Sequence, residues 1–423
     1  MENNNTINNR IPQLRFPGFT GDWEVKSLGE VGVFVRGLSY NKGEVTQNRA
    51  STLVLRSNNI IQDGAVDCRN GLQFVTKRPS SEQILQKGDI VICLSNGSTN
   101  LVGKSANYEG DYAGIATVGA FCGIYRSTAP ITKYLVQTPA YKKSVELIKQ
   151  GGNGALANLY GRDILGLKFY FPNLEEQNEI VKCLEAIDQM ISAQNQKVES
   201  LKAHKKGLMQ QLFPQPGATT PALRFPGFTG EWQGKKLNEV FSRVTRKNAE
   251  NNQNVLTISA QYGLISQLEF FKKSVASSDV TGYYLLHRGE FAYNKSSSQG
   301  RPVGAIKPLR LYDKGVVSTL YICFKCSNPE EIDFWEQYFD AGILDSEIIS
   351  IAQEGARNHG LLNISTGDFF GLNVILPTPP EMKKIAECLS SFDDVITAAE
   401  NELDSLKAHK KGLMQQLFPQ LQK

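Results

Sequence analysis

Apolar residues recur at alternating intervals of four and three along two long stretches of the chain, a spacing that predicts α-helices with a coiled-coil seam. Gln194 and Lys205 complete the first series, and Ala399 and Lys410 complete the second. Each position has its match 205 residues later, so the two helices share one seam pattern. The apolar seam positions are Ile180, Leu184, Ile187, Ile191, Val198, Leu201, Leu208 and Leu212, then Ile385, Leu389, Phe392, Ile396, Leu403, Leu406, Leu413 and Leu417.

Both helices are bounded by start and stop signals. Asn173 and Thr378 can each cap a helix, with a glutamate three residues later as in a capping box, and Pro379 suits the first helical position. A Phe-Pro pair marks the end of each helix. The predicted helices, 173–213 and 378–418, are each roughly 55–60 Å long at ~1.5 Å per residue.

A long helix with a single apolar stripe requires a partner. Homodimerisation through ordinary zippers would supply one, but the matched length and register of the two seams favour pairing within the chain. Antiparallel pairing would relate the two copies by an approximate twofold axis and hold two globular domains at opposite ends of a rigid spacer. The pattern therefore predicts an antiparallel coiled-coil spacer with pseudo-twofold symmetry.

Two sequence blocks occur twice in the same order, which identifies a tandem duplication. LRFPGFTG stands at Leu14–Gly21 and at Leu223–Gly230, followed each time by an acid and a tryptophan. LKAHKKGLMQQLFPQ stands at Leu201–Gln215 and at Leu406–Gln420. A Pro/Gly/Thr stretch at Pro214–Pro221 separates the copies. The chain is therefore one unit of about two hundred residues written twice.

The part of each copy that precedes its helix is mixed and rich in strand patterns. KGDIVIC (Lys87–Cys93) and RGEFAYN (Arg288–Asn294) share a turn, an acid and a short strand, and LYICFKC (Leu320–Cys326) alternates as a strand does. The predicted fold class is α+β, with two strand-rich domains in tandem, each followed by a long helix. The predicted organisation is a disordered tail (1–13), a first domain (14–172), a first helix (173–213), a linker (214–222), a second domain (223–377) and a second helix (378–418).

Each domain carries two polar, glycine-bearing segments that are candidates for DNA contact. One follows the turn-strand motif, at 95–104 and 295–304, and the other precedes the long helix, at 151–158 and 355–363. Their side chains are of the types that hydrogen-bond base edges, although such residues also favour surface turns for backbone reasons. With Arg162 just beyond the first domain's second segment, the candidates are Asn96, Ser98, Asn100, Lys104, Asn158, Arg162, Lys295, Ser297, Gln299, Arg301, Arg357, Asn358 and His359.

The charge distribution permits DNA binding without requiring it. The net charge of the whole chain is +4. Residues 14–172 carry 18 Lys and Arg against 12 Asp and Glu, whereas residues 223–379 carry 16 of each kind. The neutral second domain therefore keeps a second interpretation open, in which the chain is a duplicated adaptor whose polar loops bind another protein.

Sequence motifs for catalysis, metal binding and membrane insertion are missing. Gly97–Ser105 resembles a phosphate-binding loop but has five residues between its glycines instead of four, and Cys323-x-x-Cys326 lacks a second ligand pair. We therefore expect no catalytic residue, no metal and no cofactor bound by this chain. Seven scattered cysteines, no apolar run of ~18 residues and a polar, Asn-rich start favour a cytoplasmic protein.

The repeated LRFPGF, the P-x-x-x-E motif at Pro172–Glu176 and Pro377–Glu381, and the LKAHKKGLMQQLFPQ helix endings resemble the DNA specificity subunits of type I restriction–modification systems. The resemblance implies two target recognition domains that each read one half of a bipartite double-stranded DNA site, with helices that set the spacing and dock partners. It also implies two methyltransferase subunits that carry S-adenosylmethionine and two restriction (motor and nuclease) subunits that use ATP and Mg. One departure is Met382, where the first copy has Gln177, a residue that could cap the helix or serve an interface.

Overall fold

The computed structural model describes residues 11–61, 64–150, 158–259, 263–271, 279–296, 302–357 and 361–419. The chain divides into two compact units, one made of residues 1–193 and 402–423 and the other of residues 194–401. Each unit contains one strand-rich domain and parts of both long helices. Chain segments that are far apart in sequence therefore meet inside each unit.

Within its described residues, the first domain has ten strands and three α-helices. The strands are β1 (Glu24–Ser27), β2 (Gly32–Arg36), β3 (Val45–Thr46), β4 (Thr52–Leu55), β5 (Gln73–Val75), β6 (Ile90–Cys93), β7 (Ser105–Asn107), β8 (Ala116–Val118), β9 (Cys122–Ser127) and β10 (Lys168–Phe171). The helices are α1 (Thr132–Leu135), α2 (Pro139–Gln150) and α3 (Gly161–Leu165).

Two four-stranded sheets form the body of the first domain. One has the order β2–β9–β6–β7 and is antiparallel throughout, and the other has the order β3–β5–β4–β8 with β4 and β8 parallel. Every residue of β4 and β6 is buried, as expected for short apolar runs in central strands. The antiparallel ribbon β1–β10, in which Glu24 lies opposite Phe171, leads into the long helix α4 (Leu174–Leu212).

Within its described residues, the second domain has twelve strands and five α-helices. The strands are β11 (Gln233–Lys236), β12 (Phe241–Arg243), β13 (Leu256–Ser259), β14 (Gly263–Ser266), β15 (Tyr284–His287), β16 (Phe291–Asn294), β17 (Ala305–Pro308), β18 (Lys314–Val317), β19 (Ile322–Cys326), β20 (Gln353–Arg357), β21 (Leu361–Asn363) and β22 (Asn373–Leu376). The helices are α5 (Leu237–Val240), α6 (Gln267–Phe271), α7 (Ile332–Asp340), α8 (Asp345–Ile351) and α9 (Thr366–Phe370).

The second domain repeats the main sheet of the first. Its order β12–β19–β16–β17 matches β2–β9–β6–β7 strand for strand, and the ribbon β11–β22 precedes the long helix α10 (Pro379–Leu417) as β1–β10 precedes α4. The other sheet differs, because β13–β14 and β15–β18 are separate pairs joined by a parallel bridge between Val255 and Val316. The duplication is therefore preserved in the sheet from which the first polar segment of each domain emerges.

The seams of α4 and α10 are buried or half-buried at every position. In the first unit, Ile180 near the start of α4 shares an apolar core with Leu417 near the end of α10. In the second unit, Leu212 near the end of α4 shares a core with Ile385 near the start of α10. The helices therefore run antiparallel within each unit. The predicted α+β class, with each strand-rich domain followed by a long helix, is confirmed.

The start of each long helix is tied to the LRFPGF motif of its own copy. The Asn173 side chain accepts from Glu176 N at 2.9 Å, as a cap should. The rest of the predicted capping box is wrong, because the Glu176 carboxylate binds the Arg15 guanidinium at 2.7 and 2.8 Å instead of reaching back to the capping backbone. Arg224 binds Glu381 in the same bidentate way, at 2.8 and 2.6 Å. Both arginines also donate to a carbonyl at the end of their own LRFPGFTG segment.

The two repeated sequence blocks pack against each other. In the first unit, Leu14 N donates to Gln416 O at 3.0 Å, and Trp23 shares a core with the end of α10. In the second unit, Leu223 N donates to Gln211 O at 2.9 Å, and Trp232 shares a core with the end of α4. Each LRFPGFTG segment therefore packs on the helix ending that belongs to the other copy. The same contact between the two repeated blocks occurs once in each unit.

The Gln177 side chain serves the helix start rather than an exposed interface. It is buried, and its Nε2 donates to Pro172 O at 2.9 Å. Met382, the matching residue of the second copy, is buried as well. The difference between the copies at this position therefore exchanges one capping hydrogen bond for apolar packing.

Candidate nucleic-acid interface

The first polar segment of the first domain is a loop closed on the end of β6. Gly103 N donates to Cys93 O at 2.8 Å, so the loop returns to the strand from which it leaves. Helix α2 supports it, because the Tyr141 hydroxyl donates to Gly103 O at 3.1 Å and the Lys149 ammonium donates to Thr99 O at 2.9 Å. The loop is thus held both at its base and along its length.

The second polar segment of the first domain lies beside the first. Leu159 N donates to Leu94 O at 2.9 Å, which joins the end of one segment to the start of the other. Asn158, the described residue of this predicted segment, is exposed, and residues 151–157 lie outside the described residues. Two segments that are about sixty residues apart in the sequence therefore meet at one edge of the domain.

Two of the predicted contact residues in this domain shape the loop. Asn96 is half-buried; its Nδ2 donates to Ser57 Oγ at 2.8 Å and its Oδ1 accepts from Ser98 N at 2.9 Å. Lys104 is half-buried at the base of the loop, where its carbonyl accepts from Cys93 N at 2.8 Å. Sequence reasoning missed Ser57, because nothing in the sequence connects it to a loop some forty residues away.

The other predicted residues of this domain face solvent. Ser98 and Asn100 are exposed on the loop. The Arg162 side chain is 84% exposed, and its guanidinium lies 5.3 Å from the ring centroid of the exposed Tyr160. Its nearest ionic contact, with Asp163, is long at 3.8 Å. Hydroxyl, amide and guanidinium groups are therefore displayed on the exposed part of the first domain.

The second domain joins its two polar segments in the same way. Leu362 N donates to Lys295 O at 3.0 Å, so the segment after β16 meets the strand β21. Lys295 is half-buried, and its ammonium donates to Ile364 O at 3.3 Å. Burial lowers the pKa of Lys295 from its ordinary value. In both domains, therefore, the first polar segment, which follows β6 or β16, lies next to the second polar segment, which precedes the long helix.

The segment 355–363 was predicted as a loop, and the structure corrects this. Strands β20 and β21 form an antiparallel hairpin, in which Arg357 ends β20 opposite Leu361. Glycine and asparagine between short runs are also hairpin signals, and pairing the strands satisfies backbone groups that a loop leaves to solvent. The remaining candidates, which lie outside the described residues, are Ser297, Gln299, Arg301, Asn358 and His359.

An exposed apolar residue at a tight turn stands beside these segments in both domains, and sequence reasoning missed it. Phe121, between β8 and β9, is 70% exposed, and its carbonyl accepts from Leu94 N and Ser95 N at 2.8 and 3.2 Å. Leu320, at the matching turn between β18 and β19, is 59% exposed. The turns are closed alike, by Cys122 N donating to Gly119 O and by Tyr321 N donating to Ser318 O. An apolar residue between two strand patterns gives no signal until the fold places it next to a polar loop.

The first domain also presents exposed cations next to the Phe121 turn. Gly37 N donates to Cys122 O at 3.1 Å, so the segment that leaves β2 adjoins this turn. Four exposed cations lie at the end of β2, in the segment after β2, and in the segment after β5, which is hydrogen-bonded to it. None of the four forms an ion pair with a described carboxylate. The group, called here the basic cluster, is Arg36, Lys42, Lys77 and Arg78.

The second domain has several ion pairs between its own side chains. Five of its described lysines and arginines form ion pairs with carboxylates of the same domain. The pairs are Arg246 with Glu290, Arg288 with Asp313, Lys307 with Asp340, Arg310 with Glu336, and Lys314 with Glu250. Each ion pair takes one charge of each sign, so the difference in net charge between the two domains stays as the sequence counts it.

No group of three or more His, Cys, Asp or Glu side chains suited to a metal ion occurs in the part of the chain that the structure describes. Cys323 and Cys326 are buried in different apolar cores, and burial raises the pKa of the Cys323 thiol to about 12 and that of Cys326 to about 11. These two thiols are core residues. Among the described helices, none is both long and apolar enough to cross a membrane.

The chain therefore consists of two copies of one strand-rich fold, each with a polar edge and a long helix. Residues 20–203 match the family model described as the type I restriction modification DNA specificity domain. The chain is 26% identical over 211 residues to the type I restriction enzyme StySPI specificity subunit of Salmonella potsdam, which covers 48% of this chain and 44% of that protein. It is 25% identical over 427 residues to the MjaVIII specificity subunit of Methanocaldococcus jannaschii, which covers 94% of this chain and 92% of the relative.

A solved structure of the type I restriction–modification S subunit from M. genitalium has the same fold, with a TM-score of 0.55 and 12% identity, and covers 97% of this chain and 100% of that one. The chain is therefore similar to type I restriction–modification specificity subunits, through its residues 20–203 in the family model and over most of its length in the Methanocaldococcus relative. A specificity subunit is a non-catalytic chain. The match to the Salmonella relative spans less than half of that protein's length.

Proposed function

We propose that this chain is the sequence-specific DNA-binding subunit of a type I restriction–modification complex. Its two target recognition domains, residues 14–172 and 223–377, each read one half of a bipartite double-stranded site. The observation that carries the proposal is the convergence, in each domain, of two polar segments beside an exposed apolar turn. A pair of equivalent edges with different polar contents suits two readers of two different short sequences.

The groups at these edges match the hydrogen-bonding patterns of base pairs. Arginine pairs with guanine, amide side chains pair with adenine, hydroxyls accept several bases, and apolar side chains contact the thymine methyl group. In the first domain the exposed readers are Ser98, Asn100, Asn158 and Arg162, while Asn96 and Lys104 hold the loop. In the second domain the candidates are Lys295, Ser297, Gln299, Arg301, Arg357, Asn358 and His359.

The basic cluster supplies attraction that does not depend on base sequence. Exposed cations free of carboxylate partners displace the counterions of DNA phosphates, which gives affinity and orientation without specificity. The second domain, which carries as many acidic as basic residues, contributes less of this attraction. Net attraction to the DNA backbone thus comes mainly from the first domain.

The two long helices set the gap between the half-sites. Each is roughly 57 Å long, so they cannot separate the recognised bases by more than ~17 base pairs at ~3.4 Å each. The helices also dock two methyltransferase subunits, which carry S-adenosylmethionine, and the assembly includes two restriction subunits that use ATP and Mg. The complex acts in the cytoplasm, where it meets DNA.

Methylome sequencing tests the proposal directly. Cells carrying this chain with its methyltransferase partner are compared with cells that have the partner alone. We expect a new methylated-adenine motif in two parts separated by a fixed gap. Exchange of residues 14–172 for the equivalent domain of another family member should then change one part of the motif and leave the other part and the gap unchanged.

Two outcomes would contradict this function. If both parts of the motif changed in the domain exchange, the two domains would not read DNA independently. If no motif appeared beside a partner known to be active, and DNA protection by the complex were absent and binding insensitive to salt, the chain would be a protein-binding adaptor. The neutral second domain is the observation that favours the adaptor.

A further inference from the structure

Two lysines occupy seam positions of the long helices, where apolar side chains are expected. Lys205 of α4 is 9% exposed, and its ammonium lies 2.6 and 2.7 Å from the two carboxylate oxygens of Asp393 on α10. Lys410 of α10 lies 2.6 Å from Asp188 of α4. The lysines are 205 positions apart and so are the aspartates, so one ion pair is built in each unit with the roles of the helices exchanged.

Each ion pair also accepts a hydrogen bond from the strand-rich domain of its own unit. Gln337 of α7, which is buried, donates Nε2 to Asp393 at 2.8 Å. The Tyr134 hydroxyl of α1 donates to Asp188 at 2.8 Å, and the Lys410 ammonium lies 5.2 Å from the Tyr134 ring centroid. Burial and the Asp188 carboxylate raise the pKa of Tyr134, so its hydroxyl remains a donor. The carboxylate therefore links helix, helix and domain at one point in each unit.

A desolvated lysine on a seam costs less free energy where a carboxylate meets it, so it favours one helix alignment at some cost in stability. Displacing α10 along α4 by one heptad in one direction would place Lys205 against Glu400, but Lys410 against Asn195. In the other direction both lysines would face apolar residues. Compared with either displacement, the observed alignment gives both lysines a carboxylate.

The second-unit site consists of Lys205, Asp393 and Gln337, and the first-unit site of Lys410, Asp188 and Tyr134. We propose that these two positioning sites fix the alignment of the long helices and the seat of each recognition domain on them, and thereby determine the gap of the bipartite target. This inference rests on the proposed reading of DNA in two halves. These six side chains lie outside the polar segments and would contribute to specificity by setting the gap rather than by contacting bases.

The first test removes both charges and keeps the seam apolar. In the full chain with its methyltransferase partner, K205M/K410M should assemble and methylate sites whose gap differs from the native one by about three base pairs, since one heptad is ~10 Å of helix. K202M is the matched control, because it deletes a more exposed lysine that pairs with Glu400 on the same helices. Its methylated sites should keep the native gap. Methylation by K205M/K410M at the native gap alone would overturn the inference.

A charge exchange decides the matter if K205M/K410M does not assemble. K205D and D393K each place like charges together, and each should lower methylation at least about tenfold. K205D/D393K rebuilds the pair with reversed polarity, and the Gln337 amide can serve either charge. Recovery of methylation at the native gap in the double variant supports the positioning role. Failure to recover, in a variant that unfolds thermally like the unmodified chain, overturns it.

Helix alignment can also be measured without DNA, which separates this inference from the function on which it rests. Spin labels carried by non-canonical residues at Gln196 and Asp394, both exposed in the second unit, report the position of α10 along α4. In K205M/K410M this distance should broaden or shift by up to ~10 Å relative to K202M. An unchanged distance overturns the inference. A shifted distance, in a chain whose unmodified complex yields no methylated motif, would refute the DNA-reading function alone.

Discussion

The two recognition domains share a framework and differ in the charge they present. The order of the main sheet, the ribbon before the long helix and the bidentate arginine–glutamate pair all recur. The first domain has a net positive charge and exposes the basic cluster, whereas the second has equal numbers of acidic and basic residues and pairs five of its described cations with its own carboxylates. Residues that position the scaffold are thus kept in both copies, while the charge on the exposed surface differs.

The acid of the turn-strand motif shows how far the framework can change without losing its contacts. Asp89 is buried and binds Arg126 of β9 at 2.9 and 3.0 Å. Glu290, its counterpart, is also buried, but it binds Arg246 at 3.0 and 3.1 Å. The buried carboxylate is satisfied in both domains by an arginine from a different place in the chain. Equivalent positions therefore keep an electrostatic requirement rather than a particular partner.

The largest expected effect comes from a charge in the helix seam. Leu184 and Leu389 are matching seam residues with no exposed surface. L184E and L389E each bury an unpaired carboxylate, which should cost more than about 4 kcal/mol and prevent assembly with the methyltransferase. Size-exclusion chromatography with the partner subunit and thermal unfolding measure the two losses.

Matched controls exist on the outer faces of the same helices. Met190 and Val395, again 205 positions apart, are 55% and 48% exposed. M190E and V395E should leave the melting temperature of the chain nearly unchanged. Equal damage from seam and outer-face variants would mean that the buried stripe does not hold the helices together.

A smaller effect, equal in the two copies, is expected from the arginines of the LRFPGF motif. R15A and R224A each leave a glutamate that is 1% exposed without its partner, at a cost of about 3–5 kcal/mol. Replacing both partners with leucine, in R15L/E176L, should recover much of the loss because no buried charge remains. Chemical denaturation measures the free energies of unfolding. Clearly unequal losses for R15A and R224A would show that the two copies do not share this framework.

The sequence predicts the long helices well because their periodicity is a local pattern sustained over ten turns or more. It also predicts the duplication, since the LRFPGFTG and LKAHKKGLMQQLFPQ blocks each occur twice. What it cannot predict is the partner of a polar group that lies far along the chain. Arg15 with Glu176, Asn96 with Ser57 and the Phe121 turn became evident only through tertiary contacts.

The same limit explains the errors. The capping box predicted at Asn173 failed in part because a guanidinium from a distant segment binds a carboxylate more strongly than a local amide does. The hairpin β20–β21 was read as a loop because its strands are short and do not alternate between apolar and polar residues. Neither error concerns a long periodic segment: the first arises from a tertiary contact, and the second from a short hairpin whose strands carry too little pattern to be recognised.

The smallest expected effect tests the difference between the domains rather than their likeness. Alanine at all four positions of the basic cluster should reduce the slope of log affinity against log salt by up to about 0.9 for each cation that contacts a phosphate, while leaving the methylated motif unchanged. Salt titration of DNA binding by the complete complex measures the slope. A changed motif would mean that the cluster reads bases instead of phosphates.

The control for this prediction removes two exposed cations of the second domain that are ion-paired, in R288A/K314A. Arg288 and Lys314 each face a carboxylate, at 3.0 and 2.7 Å, so removing them also frees an acid and takes little from the attraction to phosphate. The slope of log affinity against log salt for R288A/K314A should differ from that of the unmodified complex by less than about one unit. If R288A/K314A lowered the slope as far as the basic-cluster variant, ion pairing within the second domain would not shield its cations from DNA. The two domains would then attract the backbone equally, and their difference in charge would have no consequence for binding.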